Sequence, residues 1–406
     1  MGTYPIKVLF ELCEVLSGGT PKTTNPAYWN GLVPWASVKD FNTGNRWFSS
    51  TEKMITEVGL ANCSSVLLAP GDLVLSARGT VGVVAQCGMR TAFNQSNYGL
   101  RAKESLASND YLYYAISNAK KALLGDTHGG MFDTITRQTL ARLNIPVPEL
   151  EVQSGITNVL GTLDEKIETN KQLSKTLEDI AQTIFKSWFI DFDPVKAKMA
   201  GEKPVGMDAA TAALFPGSME DSELGLIPTG CEVSIVGAFS PLVYGKALPA
   251  RDRNVGLINV FGSNGIVGSH DSALLQTPTI VIGRKGTVGT VNLHLKPSWV
   301  IDTAFSCSTE TPENLYLAYL ILRGLKLDEM NSDAAVPGLN RDNVHRLGFP
   351  IGTTELRQVF ARIASLLFEF SFQLKEESQT LIEIRDALLP RLISGELQIP
   401  EEMLAL

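Results

Sequence analysis

Val74-Leu75-Ser76-Ala77-Arg78-Gly79-Thr80-Val81-Gly82-Val83-Val84 returns 207 residues later as Val281-Ile282-Gly283-Arg284-Lys285-Gly286-Thr287-Val288-Gly289-Thr290-Val291. Each copy sets Gly-Thr-Val-Gly between apolar, β-branched runs, the pattern of a strand, a turn and a second strand. A second match follows at an offset of 204, where Thr136-Arg137 and Leu143-Asn144-Ile145-Pro146 answer to Asn340-Arg341 and Leu347-Gly348-Phe349-Pro350. Gly18 pairs with Gly245 at an offset of 227, so the first copy carries about 20 extra residues ahead of its turn. The 406-residue chain is one unit written twice.

Each unit ends in a heptad pattern. In the first, Ile156, Leu160, Leu163, Ile167, Asn170, Ser174, Leu177, Ala181, Ile184 and Trp188 follow steps of four and three. In the second, Phe360, Ile363, Leu367, Phe370, Leu374, Glu377, Leu381, Ile384 and Leu388 do the same. Such spacing describes helices that pack lengthwise on a partner. The first would span ~50 Å at 1.5 Å per residue, too long to bury its stripe on one small domain, so the two helices are expected to pack on each other. Antiparallel packing would place the two globular units at opposite ends of a rod, a pseudo-twofold dumbbell. Pro146, Pro148 and Pro350 supply the breaks ahead of the helices. Between Asp191 and Gly230 lies a connector rich in Gly, Pro and Ala.

Composition narrows the class. Hydrophobic residues make up 44% and charged residues 19%, as in folded globular proteins. No apolar run approaches the ~18 residues of a membrane span, and residues 1–14 lack the pattern of a signal peptide. Five cysteines without a CxxC pair argue against a disulfide framework or a zinc site and make a reducing cytoplasm the default compartment. The net charge of −8 is uneven: residues 1–150 hold 13 basic and 11 acidic side chains, and 151–230 hold 7 and 13. Residues 231–350 hold 10 and 10, and 351–406 hold 5 and 9. Two near-neutral blocks alternate with two acidic ones. A DNA binder of this composition must neutralise phosphate through local patches or through a partner.

Catalytic motifs fail on inspection. Asn25-Pro26-Ala27-Tyr28 is similar to the Asn-Pro-Pro-Tyr/Phe signature of amino-methyltransferases, but alanine replaces the second proline and no glycine-rich cofactor loop follows a parallel strand. Gly18-Gly19-Thr20-Pro21-Lys22-Thr23 lacks phosphate-loop spacing. Asp164-Glu165-Lys166 lies within the heptads, where solvated charges are expected, and His128, His270, His294 and His345 share no ligand spacing. The reading is therefore no enzyme, no cofactor and no metal. Basic residues in or beside the predicted turns are the candidate DNA contacts: Lys22, Lys39, Arg78 and Arg137 in the first unit, and Lys246, Arg284, Lys285 and Arg341 in the second.

The segment Ile184-Phe185-Lys186-Ser187-Trp188-Phe189-Ile190-Asp191-Phe192-Asp193-Pro194-Val195 resembles the central conserved region of type I restriction–modification DNA specificity (S) subunits. Arg385-Asp386-Ala387-Leu388-Leu389-Pro390-Arg391-Leu392-Ile393-Ser394-Gly395-Glu396-Leu397 resembles their C-terminal conserved region. Gly18-Gly19-Thr20-Pro21, Asn25-Pro26-Ala27-Tyr28-Trp29 and Trp35 resemble the opening of one class of their target-recognition domains; Cys231 stands where the second opening would carry tryptophan.

The resemblance implies an α+β chain: two tandem α/β target-recognition domains separated by two long antiparallel coiled-coil helices, pseudo-twofold duplicated. The expected boundaries are 1–150 for the first recognition domain, 151–190 for the central helix, 191–230 for the connector, 231–351 for the second recognition domain and 352–406 for the C-terminal helix. It implies a bipartite site in double-stranded DNA with one half-site per domain. It also implies docking of two modification (methyltransferase) subunits and two restriction (translocase/endonuclease) subunits. Trp188, Phe189, Asp191 and Phe192, at the end of the acidic first helix, are the candidate partner-binding residues. The competing reading is a non-catalytic coiled-coil scaffold whose repeated units bind proteins.

Overall fold

Both copies of the repeated segment fold as strand, turn and strand. The computed structural model describes residues 4–124, 134–309, 311, 314–330 and 338–403; His128 lies outside the described residues. Leu73–Ser76 pairs antiparallel with Val84–Cys87, and Thr279–Gly283 pairs likewise with Val291–His294. The intervening turns hold Gly79, Gly82, Gly286 and Gly289 at φ of 76°, 81°, 78° and 77°. Side chains with a Cβ resist that region, which is why the repeated motif keeps glycine at both turn positions.

The chain divides into two compact units, one formed by Met1–Lys171 with Glu376–Leu406 and the other by Gln172–Lys375. Among the described residues, the first unit holds a sheet ordered Cys13–Ser17, Asn97–Ala102, Leu73–Ser76, Val84–Cys87, Trp47–Phe48. A smaller sheet runs Lys53–Ile55, Trp29–Ala36, Ala92–Phe93, and a ribbon pairs Ile6–Val8 with Asn144–Pro146. The second unit repeats the order: Leu242–Tyr244, Ala304–Cys307, Thr279–Gly283, Val291–His294, then Gly265–His270, Ile258–Gly262, Ser298–Val300, with Val233–Ile235 on Gly348–Pro350. In both smaller sheets the central strand has one antiparallel and one parallel neighbour.

Register confirms the offsets residue by residue. Val15 faces Leu100 and Leu242 faces Cys307, which are steps of 227 and 207. The pairing of Gly18 with Gly245 has a steric cause. A Cβ on Gly18 would stand 2.0 Å from the Asn94 carbonyl oxygen, and one on Gly245 would stand 2.1 Å from that of Ile301, again 207 residues on. These glycines permit close backbone approach.

The long helices span Leu150–Phe185, continued by a π-helical turn over Lys186–Ile190, and Thr354–Ser394. Their pairing is antiparallel within each unit. In the first, Asp164 meets Arg385 and Asn170 meets Glu377; in the second, Ser174 meets Ser371 and Phe185 lies against Phe360. The predicted stripe of the first helix faces inward, with Asn170 and Ser174 buried in it. The second stripe is rotated from the one expected. Phe370 and Ile384 are exposed, whereas Ala364, Phe368, Ser371 and Ser378 are buried. The expected stripe followed large apolar side chains, but small ones occupy the facing positions where two helix backbones draw close.

Each unit has one main core shared by its sheet and its share of both helices. In the first, Leu73, Leu75, Leu100, Tyr111 and Leu112 join Ile156, Leu160, Leu392 and Ile393. In the second, Ile280, Ile282, Phe305 and Leu317 join Phe185, Trp188, Phe189, Phe360 and Phe368. Among the described residues no helix is long and apolar enough to cross a membrane.

Candidate nucleic-acid interface

Three chain segments converge beside each repeated turn: the turn itself, the start of a short helix and the end of an edge strand. In the first unit Arg78 bridges Thr134, and the Ile135 amide donates to the Ala77 carbonyl at 2.8 Å. Thr136 then caps the helix Arg137–Leu140 through the Thr139 amide. Arg137 opens that helix and donates to the Val15 carbonyl at 3.0 Å, on the strand that ends at Ser17.

The second unit reproduces the arrangement with more charge. Lys285 bridges Gly338, and the Leu339 amide donates to the Arg284 carbonyl at 2.9 Å. Asn340 caps the helix Arg341–His345. The matching strand ends at Tyr244, whose half-exposed ring meets two guanidinium groups, 4.7 Å from Arg284 and 5.1 Å from Arg341. Such cation–π contact orients both cations, each of which already uses part of its donor edge within the protein. Arg284 also donates to the Asp302 carbonyl at 3.1 Å, and Arg341 pairs with Asp342 at 3.2 Å. His345 ties this helix to the edge strand by accepting the Leu242 amide at 2.9 Å. Burial, helped by the neighbouring Arg341 charge, holds its pKa below the ordinary value, which suits an acceptor nitrogen.

The structure thus brings together Arg78 with Arg137, and Arg284 with Lys285 and Arg341. Lys22, Lys39 and Lys246 are exposed on other segments. The Lys22 carbonyl accepts the Trp29 indole N–H at 3.2 Å; the Lys246 carbonyl accepts that of Trp299 at 2.9 Å. Lys39 lies in the short helix Val38–Phe41, closed by a capping box between Ser37 and Asp40. Tyr244 escaped the sequence reading although the match of Gly18 to Gly245 marked the position before it. In the first copy that position is Ser17, so the aromatic has no twin to flag it.

The candidate partner residues fall mostly inside. Trp188 and Phe189 are 7% and 2% exposed. Trp188 meets Phe215 of the connector edge-on at 5.2 Å between centroids, and Phe189 meets Phe360 at 5.2 Å. Asp191 pairs with Lys186, and Phe192 turns the chain at φ 56°. Ile190, between them, is half exposed. The methyltransferase-like Asn25 is also occupied, its side chain accepting the Ala27 amide of its own turn at 3.1 Å.

Residues 2–179 match the family model described as the type I restriction modification DNA specificity domain. The type I restriction enzyme MjaIX specificity subunit of Methanocaldococcus jannaschii is 28% identical over 98% of this chain and 94% of its own length. Over nearly its whole length the chain is similar to type I restriction–modification specificity subunits. The HindI specificity subunit of Haemophilus influenzae is 26% identical over 68% of this chain and 73% of its own. The crystal structure of an S subunit from M. genitalium shares the fold, with a TM-score of 0.59 at 18% identity over 97% of this chain and 96% of that one. The α+β architecture with long helices is the fold of that solved S subunit.

Proposed function

We propose that this S subunit reads a bipartite DNA site, one half-site per globular region. The reading regions are 1–150 and 231–351, the helices 151–190 and 352–406 pair between them, and 191–230 connects. The observation that carries the reading is the twofold recurrence of one basic constellation at matched positions: Arg78 with Arg137, and Arg284 with Lys285 and Arg341. Turn and helix-start cations are suited to phosphate, and arginine also to the guanine edge. Lys22, Lys39 and Lys246, exposed on other segments, are assigned to DNA contact as well.

The chain supplies recognition and no chemistry. Methyl transfer is assigned to two modification subunits, and translocation with cleavage to two restriction subunits; the relatives' names say only that each is the specificity subunit of a type I restriction enzyme. Docking of the modification subunits is assigned to the Trp188-Phe189-Asp191-Phe192 turn, in which the buried rings hold Ile190 and the acidic edge outward. The near-neutral charge of both reading regions accords with partners that share the neutralisation of phosphate.

The test is methylation-site sequencing with the assembled modification complex. Alanine at Arg78 and Arg137 should relax or lose one half-site, and alanine at Arg284, Lys285 and Arg341 the other; a base contact is worth ~1–3 kcal/mol. Wild-type site choice in both variants would place the DNA surface elsewhere. Sequence-independent behaviour of the wild-type complex would favour the scaffold reading.

A further inference from the structure

A chain of polar side chains runs through the first unit from the recognition sheet to the helix pair. Gln86, fully buried in the strand Val84–Cys87, donates to Asp110 at 2.9 Å. Arg46, whose side chain is 8% exposed, bonds both Gln86 and Asp110 and donates to the Tyr114 hydroxyl at 3.3 Å. Tyr114 donates in turn to Asp164 Oδ2 at 2.6 Å, and Arg385 donates to Asp164 Oδ1 at 2.7 Å. The link joins a sheet strand, the helix Asn109–Asn118 and both long helices. Val84–Cys87 directly follows the turn that carries Arg78. Asp164 is therefore no solvated helix charge; its side chain is 10% exposed.

The second unit solves the same junction differently. The long helices begin 204 residues apart, so Phe368 stands where Asp164 stands and Ala181 where Arg385 stands. There the helix Leu315–Gly324 meets Phe368 through Tyr316, stacked at 5.3 Å, and Tyr319, edge-on at 5.6 Å. The first junction is ionic; the second is aromatic, with one neutral-donor hydrogen bond in which the Tyr316 hydroxyl donates to Glu369 at 3.3 Å. The ionic one borders a cleft of about 880 Å³ lined by Gly82, Val83, Tyr113, Tyr114, Asp164 and Arg385. Dense packing does not back the link on that side.

We propose that Arg46, Asp110, Tyr114, Asp164 and Arg385 are positioning residues that set the angle at which the first reading region presents its DNA-contacting turn. This rests on the functional reading above. Its consequence is an asymmetry: recognition of one half-site depends on a charge link centred on the buried side chains of Arg46 and Asp164, with Asp110 half exposed at its edge, and recognition of the other does not. Hydrogen bonds and buried charge fix orientation more sharply than apolar contact, and they fail abruptly when one partner is removed.

Asp164→Asn and Tyr114→Phe keep the shape and remove one element of the link each. In the complex with modification subunits, both should lower base discrimination at least ~10-fold (1.4 kcal/mol) in one half-site and leave the other unchanged. Phe368→Leu should affect only the opposite half-site. In the free chain, amide exchange of residues 109–118 should quicken by about ten-fold in Asp164→Asn, with 315–324 unmoved. Equal loss in both half-sites would reduce the link to general stability and overturn the proposal. Unchanged exchange would overturn it without reference to DNA. If the unsubstituted complex lacks sequence preference, the functional reading fails and takes this proposal with it. That result is distinguishable because it needs no variant.

Discussion

His294 stacks on Phe261 with ring centroids 3.7 Å apart, and its Nε2 is buried without a hydrogen-bond partner. Burial pulls its pKa from 6.5 down to about 4. The unfolded chain therefore binds a proton near pH 6.5 that the folded chain refuses until about pH 4, and stability falls as pH drops through that window. The contribution is at most ~3 kcal/mol at 1.36 kcal/mol per pKa unit. Denaturant unfolding at pH 7 and pH 4 should show the wild type losing up to that much more than His294→Phe, and identical losses would contradict the assignment. Residue types with steric or electrostatic singularity were the legible ones. Gly18 and Gly245 announced themselves by matching across copies, and the backbone oxygens of Asn94 and Ile301 explain why. Asp164 looked like any surface helix carboxylate, because its partners Tyr114 and Arg385 are 50 and 221 residues away.

At the scale of elements, the helix seam carries a polar layer whose registry no large apolar residue specifies. Asn170, 1% exposed, donates to Glu377 at 2.9 Å, and Lys166 lies 3.5 Å from the same carboxylate. In the other unit Ser174 and Ser371 share a 2.7 Å hydrogen bond, and Ser371 donates to Glu178, which also pairs with Lys375 at 2.6 Å. Asn170→Ala removes the donor that Glu377 uses and should cost ~1–3 kcal/mol in thermal unfolding. Leucine at both Asn170 and Glu377 should raise the melting temperature yet broaden the distance distribution between labels at Leu163 and Leu388, since a polar residue at a helix seam specifies register at a cost in stability. A narrow distribution in the double variant would show that packing alone sets the register. The heptads revealed that both helices exist and roughly where they end. They misplaced the inner face of the second helix, because Ala364, Ser371 and Ser378 carry little hydrophobic signal and Phe370 and Ile384 carry much.

At the scale of the whole molecule, the functional proposal makes readers and helix pair separable. Four residues inserted after Asn170, with four more before Glu377 to preserve the pairing, add ~6 Å of helix at 1.5 Å per residue. DNA advances ~3.4 Å per base pair. Methylation-site sequencing should find the spacer lengthened by one or two pairs with both half-sites intact, although four residues are a stutter against the heptad. An active complex with an unchanged spacer would sink that role for the helices. What the amino-acid sequence determined by itself was everything carried by repetition and period: two units, a glycine turn in each and two long helices. These signals are local or recur at fixed offsets, so they survive without coordinates. Tertiary structure alone decided which side chains meet across the chain. It enclosed Trp188 and Phe189 in a core, brought Tyr244 against Arg284 and Arg341, and joined Arg46 to Arg385 through Tyr114 and Asp164. Burial and hydrogen bonding between distant residues depend on how elements pack, and packing leaves no periodic trace in the residues it brings together.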